Sequence, residues 1–298
     1  MTGILLVDKP AGVTSHDVVD AIRKASGLRR VGHTGTLDPL ATGLLILCLG
    51  NATRLSEFLT GLDKVYEGTM RLGLETDSYD LDGKTIAERP VPELTEATLA
   101  ESFVRYTGSI EQVPPMVSAV KVGGERLYRR ARKGETVERA PRTITIHEFT
   151  LLGYTPPDAT FRVRCTRGTY VRSLCHEIGA ELGCGGALAA LRRTWVGPHA
   201  VANAAPVASF TDAASVQQRL IPLEKAVDLP VVTVRRNRQR LIPTGTSLRP
   251  GDITGECPVA SGWVQVWSES GEMLALAEVT TDPQGATLQP KRVFCGQP

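Results

Sequence analysis

With 298 residues, the chain is long enough for one large domain and a smaller second one. Its hydrophobic share of 42% and charged share of 22% are those of an ordinary globular protein, which excludes a disordered chain. The net charge is only +2, so the total charge does not indicate a nucleic-acid-binding protein, and its distribution matters more.

Basic side chains are concentrated in two stretches. Residues 126–142 hold seven basic and two acidic side chains, and residues 235–249 hold five arginines and no acid. Either stretch alone is typical of a solvated surface. The two together favour a polyanionic partner.

The six cysteines form no C-x-x-C pair and no His/Cys spacing of the kind that binds a metal. We therefore expect reduced thiols, as in a cytosolic protein. The amino terminus lacks the basic residues of a signal peptide, and no apolar run approaches the roughly 20 residues of a membrane span. The sequence predicts a cytoplasmic protein that does not bind a membrane.

The first predicted elements are a buried strand and an amphipathic helix. The strand covers "ILLVDKP", and the helix begins at Thr14 or Ser15 and ends at Gly27. The continuous apolar run "LLILCL" at 44–49 predicts a second buried strand. The alternating stretch "KVYEGTMRLG" predicts a third strand.

The middle of the chain mixes helices and strands without a regular βαβ order. Residues 95–107 predict a helix capped by Thr95, and Gly123 with Gly124 predicts a turn into a basic helix. "TITIHEFTLLGY" and "ATFRVRC" alternate as strands do, and "TYVRSLCHEIGAELGCGG" predicts a helix closed by glycines. This mixture indicates an α+β fold around a mixed, largely antiparallel sheet.

The composition changes near residues 222–230, where "PLEKAVDLP" precedes a helix-like basic stretch and several short strands. Glycine and proline turns separate these strands. We therefore predict a first domain over 1–225 and a small β-rich domain over 226–298.

One loop, "VGHTGTLDPLATGLLILCLG" (31–50), places a single carboxylate, Asp38, before a buried strand. An aspartate before proline commonly caps a backbone N–H in a turn, which is the simpler role. However, the surrounding glycines allow a bulky ligand to approach, and Pro39 stiffens the position of the carboxylate. His33 suits either an acid–base group or a hydrogen-bonding or stacking group. The loop is therefore a candidate site for chemistry that needs one acid.

Later stretches offer partners for this acid. Tyr66 lies in the third strand, where a tyrosine is usually packed half-buried. Tyr170 and Arg172 flank a strand-to-helix junction, and the simpler interpretation is a core tyrosine and a surface arginine. The functional interpretation is a guanidinium aimed at a carboxylate. The residues alone thus indicate a single-carboxylate enzyme with a polyanionic substrate.

Other motifs are excluded. "DSYDLDG" does not fit a calcium loop, because Ser78 and Arg89 would occupy positions that need acids. The chain also lacks a G-x-G-x-x-G and a G-x-S-x-G element.

Three stretches together resemble the bacterial tRNA pseudouridine synthases that act on uridine 55 of the T-loop. "DKPAGVTSHDVV" (8–19) is similar to the family's N-terminal motif, "GHTGTLDPLATGLL" (32–45) to its catalytic loop, and "GTYVRSL" (168–174) to its later arginine motif. The likeness extends over about residues 3–197. The remaining carboxyl-terminal part resembles, less closely, the small PUA-like RNA-binding domain that such proteins often carry.

The resemblance implies a role for each candidate residue. Asp38 would be the catalytic aspartate, Arg172 its partner, and Tyr66 the tyrosine that stacks on the target base. The implied substrate-binding residues are Tyr170 in the pocket, Leu191 as an apolar wall, His33 near the flipped nucleotides, and Lys9 and Arg54 as RNA or loop contacts.

The implied reaction isomerises uridine to pseudouridine: the N1–C1′ bond breaks, the base turns, and it rejoins through C5. This is neither redox chemistry nor hydrolysis, so the resemblance implies no metal and no other cofactor. The aspartate attacks C1′ or C6, or takes a proton from C2′, while the tyrosine holds the freed base. The implied partner is a tRNA with its target nucleotide flipped out, and we expect a monomer without an obligate protein partner.

Two other functions are compatible with the residues. An RNA-binding chaperone of tRNA folding would share the basic surfaces but would not need Asp38. A glycosidase-type hydrolase would need two carboxylates flanking one bond.

Overall fold

The structure is a computed structural model that describes residues 1–118, 121–127, 130, 134–135, 137–282 and 285–295. Its helices are α1 (Ser15–Ser26), α2 (Ser56–Gly61), α3 (Glu96–Arg105), α4 (Val171–Glu181) and α5 (Ala213–Gln218). The strands of the first half are β1 (Gly3–Lys9), β2 (Val31–His33), β3 (Thr42–Leu49), β4 (Lys64–Leu72), β5 (Leu74–Thr76), β6 (Thr85–Glu88), β7 (Gly108–Gln112), β8 (Lys121–Val122) and β9 (Glu125–Arg126). The later strands are β10 (Arg142–Thr155), β11 (Asp158–Cys165), β12 (Gly186–Val196), β13 (His199–Ala200), β14 (Ala205–Pro206), β15 (Val231–Val234), β16 (Ile253–Thr254), β17 (Gly262–Ser268), β18 (Met273–Asp282) and β19 (Gly285–Val293).

Helix α1 has the ends that the sequence predicts. The Thr14 hydroxyl accepts the N–H of Asp17, and the Asp17 carboxylate accepts the N–H of Thr14 in return. Gly27 adopts a φ of 70°, the left-handed conformation that closes a helix. Val18 and Ile22 are buried on its inner side. The predicted cap, apolar face and end of this helix are confirmed.

Ten of the described strands form one mixed sheet in the order β14-β1-β3-β12-β4-β11-β10-β7, with β2 beside β3 and β13 beside β12. The pairs β1–β14 and β3–β12 are parallel, and the other pairs in this sheet are antiparallel. This confirms the predicted α+β fold with a mixed, largely antiparallel sheet. A second sheet follows later in the chain, in the order β16-β15-β17-β18-β19.

Strand β12 lies at the centre of the first sheet, parallel to β3 and antiparallel to β4. The sequence patterns did not predict it. The pairing with β4 shifts register between Leu188 and Ala190 and again between Arg193 and Trp195. Such bulges interrupt the alternation of period two by which a strand is recognised.

Strands β1 and β3 are buried on both faces, which explains their unbroken apolar sequences. On one face, Leu5 and Leu47 belong to the core that also contains the inner sides of α1, α3 and α4. On the other face, Ile4 and Ile46 belong to a core that also contains Leu276 of the second sheet. The two sheets therefore share packed apolar surface, and the division near residue 225 stays a prediction.

Arg54 lies at the contact between the sheets. Its Nη1 donates to the carbonyl of Val293 in β19. Nearby, the Phe58 ring of α2 meets the Trp263 ring of β17 edge-on, with centroids 6.1 Å apart. These contacts attach the second sheet to the segment between β3 and β4, and they favour a structural contact for Arg54 over the predicted RNA contact.

The two basic stretches are described to different extents. Residues 128, 129, 131–133 and 136 of the first stretch, and with them most of the predicted basic helix, lie outside the described residues. The predicted turn at Gly123 and Gly124 joins β8 to β9. In the second stretch, a 3-10 helix (Arg236–Leu241) takes the place of the predicted helix-like segment.

Among the helices within the described ranges, none has both the length and the apolar character needed to cross a bilayer.

Close packing in the middle of the first sheet requires glycine at position 68. A Cβ there would lie 2.6 Å from Cζ of Phe161 and 2.9 Å from the carbonyl oxygen of Ala190. We expect Gly68→Ala to lower the free energy of unfolding by about 1–3 kcal/mol, because the strands must move apart. Urea unfolding of the purified variant measures this loss. Gly61→Ala is the matched control, since a Cβ there meets no atom within 4 Å; an equal loss in both variants would contradict the packing explanation.

Candidate active site

The loop between β2 and β3 carries Asp38, and the connection between β1 and α1 holds this loop in place. The Ser15 hydroxyl accepts the N–H of Leu37 at 2.8 Å. The carbonyl of Pro39 accepts the N–H of Gly12 at 2.9 Å. The backbone is thus fixed on both sides of Asp38, while its side chain remains 38% exposed.

Lys9 lies at the end of β1 and is wholly buried. Its ammonium donates to the carbonyls of Pro10 at 2.8 Å, Val13 at 2.7 Å and Pro39 at 3.3 Å. Burial lowers the pKa of Lys9 to about 8, although the nearby charge of Asp38 acts in the opposite direction. These three carbonyls occupy all three donors of the ammonium, which favours the predicted loop contact over an RNA contact.

Arg172, in the first turn of α4, holds the carboxylate. Its side chain is only 3% exposed, and its Nε lies 3.0 Å from Oδ2 of Asp38. Nη1 donates to the carbonyl of Ser78 and Nη2 to the carbonyl of Val117, both at 2.8 Å. The interpretation as a surface arginine is therefore wrong. The structure has a buried guanidinium aimed at a carboxylate.

A second carboxylate, Asp80, lies behind Arg172. Its Oδ2 is 3.5 Å from Nη1 of Arg172, and its Oδ1 accepts a hydrogen bond from the Ser78 hydroxyl. Burial raises the pKa of Asp80, and the Ser78 hydroxyl and Arg172 oppose this rise. Arg172 thus bridges an exposed acid and a buried one. Asp80 lies in "DSYDLDG", the acidic stretch that does not fit a calcium loop.

Tyr66 and Arg193 pair directly across β4 and β12 and project from the same face of the sheet. Burial raises the pKa of Tyr66, and the Arg193 guanidinium opposes this rise. Arg193 is 2% exposed, and it donates to the carbonyls of Leu44 at 2.7 Å and Gly35 at 3.1 Å. Sequence reasoning missed Arg193, because two consecutive arginines in a segment without alternation are typical of a surface.

These groups line a cavity of about 250 Å³. Its walls include Asp38, Tyr66, Tyr170, Leu191, Arg172 and Arg193. Leu191 is buried, and the side-chain amide of Gln112 holds the backbone of Tyr170 through hydrogen bonds of 2.7 and 3.1 Å. The volume is below the roughly 300–1,000 Å³ of drug-sized sites, so the cavity admits a single flat ring rather than a folded oligonucleotide.

His33 ends β2 just before the loop, and its Nδ1 accepts the N–H of Gly35 at 3.4 Å. His33, Lys9 and Arg54 do not belong to the cavity walls. Within the described ranges, no three His, Cys, Asp or Glu side chains come together in a group that would hold a metal ion.

Two of the glycines beside Asp38, Gly35 and Gly43, serve the packing of the loop. Gly43 has a φ of 98°, and a Cβ there would lie 2.3 Å from the carbonyl oxygen of Arg193. A Cβ at Gly35 would lie 3.3 Å from Nη1 of the same arginine. A Cβ at Gly32, in contrast, would meet no atom within 4 Å. Gly35 and Gly43 therefore let Arg193 approach the loop.

Comparison with known proteins identifies the family. The model described as TruB family pseudouridylate synthase (N terminal domain) matches residues 23–171, and the model described as tRNA pseudouridylate synthase B C-terminal domain matches residues 172–228. The tRNA pseudouridine synthase B of Thermobifida fusca is 45% identical over 99% of both chains. That of Pseudomonas aeruginosa is 39% identical over 99% of this chain and 96% of the other.

The chain belongs to the TruB family of pseudouridylate synthases. It is therefore an isomerase, and the predicted resemblance is confirmed. The two matched segments meet at the site, since Asp38 lies in the first and Arg172 begins the second. Both segments end before β15, so the second sheet lies outside them.

Solved structures also resemble this TruB family chain along nearly its whole length. A Cbf5-Nop10-Gar1 complex contains a chain with a TM-score of 0.76 and 27% identity, covering 98% of this chain and 85% of that one. An H/ACA RNP bound to a substrate RNA containing 2′-deoxyuridine contains one with a TM-score of 0.75 and 25% identity, covering 99% and 85%. The predicted pseudouridine synthase fold is confirmed.

The contact between Arg172 and Asp80 predicts a kinetic effect. We expect Asp80→Asn to slow pseudouridine formation in a single turnover by about 10- to 100-fold, because the guanidinium loses one of the two anions that orient it. Affinity for tRNA should not change, since Asp80 is buried. Asp82→Asn, an exposed neighbour, is the control. A single-turnover rate equal to that of wild type for Asp80→Asn would show that Asp80 does not contribute to catalysis.

Lys9 predicts a pH dependence of stability. Its pKa of about 8 in the folded chain lies below the ordinary value of 10.5, so between these values the unfolded chain binds more protons. The free energy of unfolding therefore rises with pH in this interval. From about pH 7.5 to about pH 9.5, we expect the free energy of unfolding of wild type to rise by about 1–2 kcal/mol more than that of Lys9→Met.

Urea unfolding at the two pH values measures this gain. Lys24→Met is the control, since Lys24 is exposed on α1. A difference between wild type and Lys9→Met that is the same at both pH values would contradict the prediction.

Proposed function

We propose that the chain isomerises uridine 55 in the T-loop of tRNAs to pseudouridine, using Asp38 and no cofactor. The observation that carries this proposal is the 3.0 Å contact between Asp38 and Arg172 at the wall of a cavity for one ring, in a chain of this family. The relatives named tRNA pseudouridine synthase B, which match over nearly the full length, support tRNA as the substrate.

In this proposal, Asp38 carries out the chemistry. Its backbone is fixed and its carboxylate is exposed at the cavity, while the guanidinium of Arg172 aims it. Attack on C1′ or C6 and removal of the C2′ proton all require such an oriented carboxylate. Asp80 lies on the other side of Arg172 and outside the cavity walls, so the two acids do not flank a bond as they do in a glycosidase.

Tyr66, Tyr170 and Leu191 are the proposed contacts to the base. Burial raises the pKa of both tyrosines, so their hydroxyls stay protonated at neutral pH and act as hydrogen-bond donors. Tyr66 stacks on the uracil and holds it while it turns. The Arg193 guanidinium, which opposes the rise in the pKa of Tyr66, lies beside this hydroxyl. Leu191 keeps out water that would compete for the intermediate.

The nucleotide must leave the folded T-loop to enter the cavity, at a cost of about a few kcal/mol. Exposed cations are available to hold the RNA backbone: Arg167 at the cavity, and Arg235, Arg236 and Arg240 in and before the 3-10 helix that follows β15. We propose that residues 226–298 form the PUA-like RNA-binding domain and residues 1–225 the catalytic domain. Binding should weaken with salt, because these contacts release counterions.

The remaining predicted contacts divide into two groups. His33, beside the loop, is proposed to lie near the flipped nucleotides. Lys9 and Arg54 are proposed to act through the loop and the second sheet that they hold. We also propose that the protein acts in the cytoplasm as a monomer, with tRNA as its partner and no obligate protein partner.

The proposed function predicts that Asp38→Asn abolishes catalysis and leaves tRNA binding intact. The amide has the shape of the carboxylate but is neither a nucleophile nor a base, so we expect pseudouridine formation to fall by at least about 1,000-fold. Tritium release from 5-³H-uridine tRNA measures the reaction, and filter binding measures affinity. Asp20→Asn is the control, since Asp20 pairs with Arg23 on the surface of α1.

The same experiment separates the proposed function from a tRNA-folding chaperone. A chaperone without essential catalysis would refold tRNA whether or not residue 38 is an acid. Normal pseudouridine formation by Asp38→Asn would overturn the assignment of Asp38. Release of free uracil by the wild type would indicate a hydrolase.

A further inference from the structure

Tyr79 adopts a strained backbone conformation next to the site. Its φ of 65° lies in the left-handed region, and no other non-glycine residue in the described part of the chain has a positive φ. Most side chains adopt this conformation only at an energetic cost, and glycine adopts it freely. Residues that persist in such conformations cluster where function requires them. The contacts of the Tyr79 side chain are therefore expected to offset this cost.

The turn at Tyr79 directs both of its neighbours to Arg172. The carbonyl of Ser78 accepts from Nη1 of Arg172 at 2.8 Å, and Oδ2 of Asp80 lies 3.5 Å from the same nitrogen. The left-handed residue between them reverses the chain, so that the carbonyl before it and the side chain after it converge on one guanidinium. The position of both acceptors thus depends on the conformation of Tyr79.

Two contacts hold Tyr79 in this conformation. Its carbonyl accepts the N–H of Leu188 in β12 at 2.9 Å. Its ring stacks on the imidazole of His176 in α4, with the centroids 3.9 Å apart and an angle of 11° between the planes. His176 follows Arg172 by four residues, so both side chains project from the same side of the helix. Helix α4 therefore holds the imidazole of His176 in a fixed position relative to the Arg172 guanidinium, which Ser78 and Asp80 contact.

The surroundings keep the imidazole a flat, neutral surface. Burial lowers the pKa of His176, and its Nδ1 is buried without a hydrogen-bond partner among the described residues. A histidine that neither donates nor accepts through this nitrogen contributes to the contact mainly through its ring face. We conclude that stacking, rather than hydrogen bonding, is what the pair supplies.

We propose that the stack of Tyr79 on His176 is a positioning device for the active site. It holds the left-handed turn, keeps the Ser78 carbonyl and the Asp80 carboxylate on Arg172, and thereby sets the orientation in which Arg172 presents Asp38. Neither ring lines the cavity, so both act through Arg172 rather than on the substrate. The catalytic readout of this inference rests on the proposed function.

Four variants separate this role from a general contribution to stability. Tyr79→Gly removes the ring but fits the backbone, and His176→Ala removes the other ring. Tyr79→Phe and His176→Phe retain an aromatic face. We expect the two variants without a stack to form pseudouridine at least about 10-fold more slowly in a single turnover, with unchanged affinity for tRNA. The two phenylalanine variants should stay within about twofold of wild type.

A second measurement does not depend on the reaction. The Arg172 Nε–H signal in a ¹⁵N spectrum, assigned by its loss in Arg172→Lys, reports whether the guanidinium is held. We expect this signal in wild type and in both phenylalanine variants, and its broadening in Tyr79→Gly and His176→Ala. His147→Ala is the control, since His147 pairs with Asp63 at the surface.

The outcomes are distinct. Wild-type rates and an unchanged Arg172 signal in Tyr79→Gly and His176→Ala would overturn the proposal. So would phenylalanine variants as slow as the variants without a stack, because the hydroxyl or the imidazole nitrogens would then be the groups that matter. If the wild type forms no pseudouridine in tRNA, the proposed function fails, and the Arg172 signal still decides whether the stack positions the guanidinium.

Discussion

The buried guanidinium of Arg172 fixes the site, because its nitrogens join segments that lie far apart in the chain. Nε holds Asp38, Nη1 holds the turn that contains Ser78 and Asp80, and Nη2 holds the carbonyl of Val117. A guanidinium is planar and its donors point in fixed directions, so each acceptor must take a defined place around it. The loop, the turn and helix α4 are therefore positioned relative to one side chain rather than separately.

Other cations near the cavity are satisfied in a related way, by backbone carbonyls. Lys9 and Arg193 hold the loop of Asp38, and Lys64 donates to the carbonyls of Thr60 and Leu62 at the end of α2. Burial lowers the pKa of Lys64 to about 8, as it does for Lys9. Carbonyl dipoles satisfy the donors without cancelling the charge. Buried cations therefore lie around the cavity, which suits a polyanionic substrate.

Local patterns made the first part of the site predictable. Caps and apolar runs are determined within a few residues, so α1, β1 and β3 follow from the sequence. The loop before β3 likewise indicates Asp38 as a candidate catalytic residue. The resemblance to the family, rather than the residue pattern, specified the roles of Tyr66 and Arg172. Asp80 and Arg193 could not be found in this way, because Asp80 is one of several acids in a polar stretch and Arg193 is one of two consecutive arginines, a pattern typical of a surface. The bulges of β12 likewise remove the alternation that marks a strand.

The apolar core shared by the two sheets has a geometric consequence for the substrate. Ile4 of the first sheet and Leu276 of the second belong to one packed cluster, so the second sheet keeps a constant distance and angle to Asp38. An RNA stem that contacts both the arginines of Arg236–Leu241 and the cavity must span that interval. Adding or removing base pairs both lengthens and rotates such a stem, which moves its loop away from the cavity. Under the proposed function, stem length would therefore be a criterion of substrate selection, independent of the bases that the stem contains.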